Sequence, residues 1–182
     1  EETITWNVTP VRGLMDGKYV YVATFSSKYK VKVPKSVKAY YVKVATPTSV
    51  QFTRISSSYA IPAKTGVALF APNRLSFKVT TATATDIDAN ISENLLVPTL
   101  EEAVTIEDNT DIYVLEKRNL RVDFYSAEVG TVVEANKAYL DLTRSELASI
   151  KAFTYSFDED PETSGIEDVN AEDAEVEYYN LQ

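Results

Sequence analysis

A chain of 182 residues with no cysteine and no histidine excludes disulfide scaffolds, thiolate or imidazole metal sites, and the Ser-His-Asp and Cys-His catalytic arrangements. Its length suits one domain able to bury a core of its own, and no stretch approaches the roughly 20 apolar residues of a membrane span. The formal charge of −9 is a gradient: residues 1–80 hold 12 Lys/Arg against 3 acids, while residues 157–182 hold 10 acids and no base.

Val, Ile and Thr supply 49 residues and Tyr a further 12, a strand-forming composition. Period-two alternation recurs along the chain. "KYKVKV" sets Lys28, Lys30 and Lys32 opposite Tyr29, Val31 and Val33. "SFKV" turns Phe77 and Val79 inward, "LRVDF" buries Leu120, Val122 and Phe124, and "FTYSF" alternates Phe153, Tyr155 and Phe157. This is the pattern of antiparallel sheets with one wet face. Turn signals at short spacing ("MDGK", "VPKS", "ATPTS", "APNR", "EDNTD", "EKRN") predict a meander of hairpins. Helical signals are confined to "SENLLVPTLEEAV", where a short turn is expected before Pro98, and "TRSELASIKAF", read as one turn or a loop. From Asp158 onward the acidic composition, broken by Pro161 and Gly165, predicts a flexible tail or linker over 158–182.

Two stretches repeat. An ungapped offset of 72 residues aligns Tyr41 and Val42 with Tyr113 and Val114. It also aligns Val50 and Phe52 with Val122 and Phe124, and "IPAKTG" with "VEANKA". Residues 39–69 and 111–141 therefore read as two related three-stranded units, each with an apolar face it cannot bury alone. The expected architecture is all-β: an antiparallel β-sandwich, or partly open barrel, of two such units within residues 1–157. The alternative is that V-x-F and "A-N-K" are what strands and turns commonly look like.

The order of phrases also resembles a family. "YVATFSSKYKVKVPKSVKAYYVKV", "AIPAKTGVALFA", "ENLLVPTL", "IYVLEKRNLRVDFYSAEVGTVVEANKAYLDL" and "KAFTYSFDEDPETSGIEDV" resemble, in sequence order, an all-β accessory module. That module lies near the C-termini of secreted and surface proteins of Bacteroidetes. The resemblance spans about Tyr19 to Val169, and "YYNLQ" looks like the first residues of its C-terminal sorting element. Val133-Glu134 and the segment Lys117–Leu120 depart from the family pattern, replacing an Ile-Pro pair and glycines. The resemblance implies a secreted or cell-surface protein with an adhesion or accessory role, and it supplies no catalytic residues.

Without histidine, carboxylates are the one route to hydrolysis, and a glycosidase needs two. Asp123 and Asp141 alternate with apolar residues and read as solvated surface. Asp86, Asp88 and Asn90 have the D-x-D-x-N spacing of oxygen ligands for calcium. Ile91 stands where an EF-hand wants Gly and Val97 where it wants Glu, so the competing reading is an Asx-rich turn. The lysines Lys28, Lys30, Lys32, Lys35, Lys38 and Lys43 could meet acidic glycans, or simply protect an edge strand. No aromatic alternates with them on one face, so nucleic acid is not expected. Parity leaves Tyr125 and Tyr139 outward, where they could form a carbohydrate platform or act as cross-strand partners. The leading expectation is a non-catalytic extracellular module for adhesion, attachment or contact with a host or dietary glycan or a surface protein. The alternatives are a structural spacer in a longer secreted chain and a carboxylate-only glycoside hydrolase.

Overall fold

The structure, a computed structural model, describes residues 2–143 and 154–159. The described residues contain no helix, so none that could cross a membrane. The fold is all-β. Strands β1 (Thr5–Val8) and β2 (Val11–Met15) lead in. Six strands follow: β3 (Lys18–Phe25), β4 (Val31–Lys32), β5 (Lys38–Thr46), β6 (Ser49–Ile55), β7 (Ala60–Ile61) and β8 (Val67–Ala71). After β9 (Phe77–Thr80) comes a second set of six: β10 (Leu96–Pro98), β11 (Val104–Thr105), β12 (Ile112–Arg118), β13 (Arg121–Ser126), β14 (Val132–Val133) and β15 (Ala138–Asp141). Strand β16 (Thr154–Asp158) closes the described part, so ordered strand runs one residue past the boundary expected at residue 157.

Ten strands form one continuous sheet in the order β10-β15-β12-β13-β2-β3-β8-β5-β6-β16. Three two-stranded ladders, β1–β9, β4–β7 and β11–β14, lie beside it. The sheet is mixed rather than purely antiparallel: β13 runs parallel to β2, and β16 parallel to β6. Of the two architectures expected, a sandwich of two separate sheets is not seen: β2 joins the two halves into one mixed sheet. Gly13 makes that bridge possible. A Cβ there would lie 3.0 Å from the Leu120 carbonyl oxygen and the Val122 backbone nitrogen.

The two sets of six strands share an internal register. Shifting Thr24↔Ala68 and Phe25↔Val67 of the β3–β8 ladder by 72 residues gives Leu96↔Leu140 and Val97↔Tyr139 of β10–β15. The same shift carries β7 onto β14. It also carries Ser49, which pairs with Thr154 of β16, onto Arg121, which pairs with Leu14 of β2. Lys64 and Asn136, one offset apart, both adopt left-handed backbone, with φ of 62° and 61°. The β5–β6 ladder carries a bulge between Val44 and Thr46 that β12–β13 lacks, so those two registers differ by one residue.

Each unit turns one face inward. Tyr40, Val42, Val50 and Phe52 of the first unit pack with Leu96, Phe124, Ala138 and Leu140 of the second. Rings dominate this cluster: Phe52 stacks on Phe157 at 4.9 Å and meets Tyr155 edge-on at 5.4 Å. Residues on the opposite faces form two flanking clusters. One, around Phe25, Tyr41 and Leu69, includes Val8 of β1 and Val79 of β9. The other, around Ile112 and Val114, includes Val133 of β14. Strand β5 is buried on both faces, which is why "KAYYV" reads as a nearly unbroken apolar run.

The units approach closely at Gly66 and Ala138, which are equivalent positions in the two repeats. A Cβ on Gly66 would lie 2.9 Å from the Ala138 Cβ and 3.1 Å from the Leu96 carbonyl oxygen. No tilt of a flexible side chain can relieve that contact. Beside it, Asn94 fills the gap where β5 and β8 part beyond Tyr40. Its Oδ1 accepts from Val42 N–H and Leu96 N–H, each at 3.1 Å, and its Nδ2 donates to the Gly66 carbonyl at 2.8 Å. These bonds hold the segment extended into β10. The helical turn expected in "SENLLVPTLEEAV" is therefore a strand. Leu120, expected in the core, instead occupies the two-residue turn between β12 and β13 and is 61% exposed. The Asp16-Gly17 turn has both residues at positive φ, 54° and 84°, as an Asp-Gly hairpin requires. The helical expectation over "TRSELASIKAF" lies almost wholly outside the described residues, as does the tail beyond Glu159.

Two outcomes follow. Gly66→Ala should destabilise the protein by about 1–3 kcal/mol through overpacking. Asn94→Ala should cost about 2–4 kcal/mol, since backbone donors and an acceptor lose their partner at one stroke. Urea unfolding midpoints measure both.

Candidate functional site

The outer face of the sheet is covered over the first unit by β1–β9 and β4–β7, and over the second by β11–β14. Between those covers runs an uncovered strip. On β3, alternation sends Val20 and Val22 inward against Met15 and Val122, and leaves Tyr19 and Tyr21 outward. The ladders then place Tyr19, Leu14, Arg121 and Arg118 in one cross-strand row over β3, β2, β13 and β12, with Arg12 opposite Tyr21. Tyr19 is 48% exposed. The guanidinium of Arg12 lies 3.9 Å from the centre of the Tyr19 ring, and that of Arg118 lies 4.0 Å from the centre of the Tyr125 ring. Such stacks hold both partners flat and use little of the guanidinium hydrogen-bonding edge.

Two acids balance the strip. Arg118 donates to Glu116 at 2.6 Å, and Arg121 to Asp123 at 3.1 Å. Each acid raises its arginine further above its ordinary value. Asp123 also accepts from the Tyr155 hydroxyl and, at 2.8 Å, from the Phe124 N–H. Burial, with the Asp123 charge beside it, drives the Tyr155 phenol well above its usual range. Asp141 caps a turn, accepting from the Thr143 N–H at 2.9 Å and its hydroxyl at 2.6 Å. Both carboxylates are thus committed to internal donors.

The two tyrosines singled out by parity have different surroundings. Tyr125 lies on the strip, half-buried under Arg118. Tyr139 points to the same side but packs against the cluster of Ile112, Val114 and Val133. Burial, then the Asp141 charge, raises its phenol. The β11–β14 ladder is what covers it. No alternation rule in β15 signals a cover contributed from elsewhere in the chain.

Asp86 and Asp88 meet a lysine. Lys30 Nζ donates to the Asp86 carbonyl at 2.6 Å and stands 3.8 Å from the Asp88 carboxylate. The Asp86 carboxylate accepts from the Thr83 N–H at 2.8 Å, and that bond holds it below the usual carboxylate range. Asn90 is exposed at the end of this loop. Among the described residues, no three His, Cys, Asp or Glu side chains group as metal ligands would. Of the lysine stripe, Lys28 pairs with Glu101 at 2.8 Å and Lys32 is exposed on the short β4 strand.

Tyr19, Tyr21 and Arg12 were not among the residues singled out from the sequence. Their signal is nonetheless present: "KYVYV" alternates as plainly as "KYKVKV" does. Comparison of the chain with protein families, with curated proteins and with solved structures yields no match.

At the far end of the sheet, Glu159 receives the Tyr40 hydroxyl at 2.9 and 3.0 Å and Arg54 at 3.2 Å. Burial nevertheless raises its carboxyl above the ordinary value of 4.5. The folded protein then holds this proton more tightly than the unfolded chain does. Its contribution to stability is full at low pH and falls as pH rises from about 4.5 through the folded value. In Glu159→Gln, the urea midpoint should lose that share of its decline with rising pH.

Proposed function

We propose that this chain is a non-catalytic extracellular module that makes adhesive contact, with glycans as the partner class, through the Arg12–Tyr19–Arg121–Tyr125 strip. The observation that carries the reading is the strip itself: tyrosine rings with guanidinium groups stacked over them on neighbouring strands, lying between two covered faces. Flat rings stack on the apolar faces of sugars, and guanidinium edges donate in a fixed fork to hydroxyl, carboxylate or sulfate oxygens. Strand-borne side chains also lose little entropy on binding. The commitment of Asp123 and Asp141 to internal hydrogen bonds supports a binding role over a carboxylate hydrolase. The resemblance to secreted and surface modules of Bacteroidetes points the same way and suggests export.

The test is a screen of the folded protein against neutral, uronate-bearing and sulfated glycans. Saturable binding should appear, and Tyr19→Ala or Arg12→Ala should weaken it by about tenfold or more. Both side chains are outside the core, so the melting temperature should stay close to that of the parent. A blank across the panel, or binding indifferent to both substitutions, would remove glycan contact at this strip and favour a spacer role.

A further inference from the structure

The strip proposed for glycan contact carries its charge unevenly. Its outward side chains include the arginines Arg12, Arg118 and Arg121 and the acids Glu116 and Asp123. The arginines are the more exposed members. The Arg121 side chain is 64% exposed against 20% for Asp123, and that of Arg118 50% against 39% for Glu116. Asp123 also turns one carboxylate oxygen to the Phe124 N–H and the Tyr155 hydroxyl, away from any ligand. The surface that a ligand meets is therefore mainly cationic.

Arg12 differs from the other two. Arg118 spends its Nε on Glu116, and Arg121 a terminal nitrogen on Asp123, so both are partly neutralised. Arg12 is exposed on β2 and enters no ion pair among the described residues. Its guanidinium is held 3.9 Å from the centre of the Tyr19 ring. That contact fixes the group while leaving its N–H edge to donate to an oxyanion. Tyr19, Leu14, Arg121 and Arg118 form a row over four adjacent strands, with Arg12 two residues from Leu14 on the same face of β2. Three strand spacings of about 4.8 Å make the row roughly 14 Å long, more than one sugar ring covers. The chain as a whole carries −9, which repels polyanions, so an anion that binds must be read locally.

From this asymmetry we infer that the strip selects glycan chains bearing an anionic group, a uronate carboxylate or a sulfate ester, and that Arg12 is the residue that pairs with the anion while the chain runs across the strands toward Arg118. The inference rests on the strip being the glycan-contact surface and adds the charge class and the residue that decides it.

The probes are two matched pairs: oligogalacturonate with its fully methyl-esterified form, and dextran sulfate with dextran. In at least one pair the anionic member should bind about tenfold more tightly than its neutral counterpart, and the responding pair identifies the anion as carboxylate or sulfate. Arg12→Gln should remove most of that preference and Arg12→Lys should retain part of it. Lys78→Gln removes an exposed charge from the β1–β9 cover and should leave the preference intact. The melting curve of each variant reports that it is folded. Equal affinity for charged and neutral members, still lost in Tyr19→Ala, would overturn the charge selection and leave glycan contact at the strip standing. A preference unchanged in Arg12→Gln, or reduced as much in Lys78→Gln, would overturn the assignment to Arg12. Binding of none of the four probes would overturn this inference and the strip reading together.

Discussion

The close approach of Gly66 to Ala138 sets the geometry of the molecule. The two units meet there at equivalent positions, and a Cβ on Gly66 would lie 2.9 Å from the Ala138 Cβ. It would also lie 3.1 Å from the Leu96 carbonyl oxygen, so the methyl is accommodated on the Ala138 side. That contact brings the inner faces of the two halves together and creates the shared cluster of Tyr40, Phe52, Phe124 and Leu140. With the inner faces so engaged, the outer faces need other covers. The short ladders β1–β9, β4–β7 and β11–β14 supply them at the flanks and leave the middle strip bare.

The units share the register of β3–β8 and β10–β15 but differ by one residue at β5 and β12, and the differences are where function can reside. The β1–β9 ladder covers only the first unit. Asn94 bridges the opening of the first unit with its amide, while in the second Thr24 Oγ1 accepts from the Ala138 N–H at 3.1 Å. Strand β16 sits beside β6 as β2 sits beside β13, but β2 is flanked by β3 on its other edge whereas β16 is the last strand of the sheet among the described residues. Two part-buried polar contacts lie at the terminal strand. Tyr155 reaches Asp123 from the terminal strand, and Glu159 reaches Tyr40 and Arg54.

Much of this was legible along the chain. Alternation in "SFKV" and in the Val122–Phe124 stretch assigned inward residues, and the Asp-Gly turn announced its hairpin. The paired identities Tyr41/Tyr113 and Phe52/Phe124 fall on matching strands. What was not legible depends on contacts between distant segments. Nothing in "VRGLM" says that it will pair in parallel with β13 and fuse two sheets into one; the glycine that permits the approach reads locally as a weak strand residue. The strand in "ENLLVP" depends on Asn94 bonding to Val42 and Gly66, neither of them a sequence neighbour. Tyr139 obeys its parity, and only the remote β11–β14 ladder decides that its face is covered. Asp86 and Asp88 carry the spacing of a cation loop, and the cation beside them is Lys30, which lies 56 residues from Asp86.

The most direct test of this architecture is the exchange of the two residues at the contact. Gly66→Ala, Ala138→Gly and the double substitution should be compared by urea unfolding. If the repeats meet as described, Ala138→Gly relieves the methyl–methyl contact of Gly66→Ala but not the 3.1 Å approach to the Leu96 carbonyl, and the double variant loses less than the sum of the two single losses. Strict additivity of the two single losses would contradict the close approach on which the account rests.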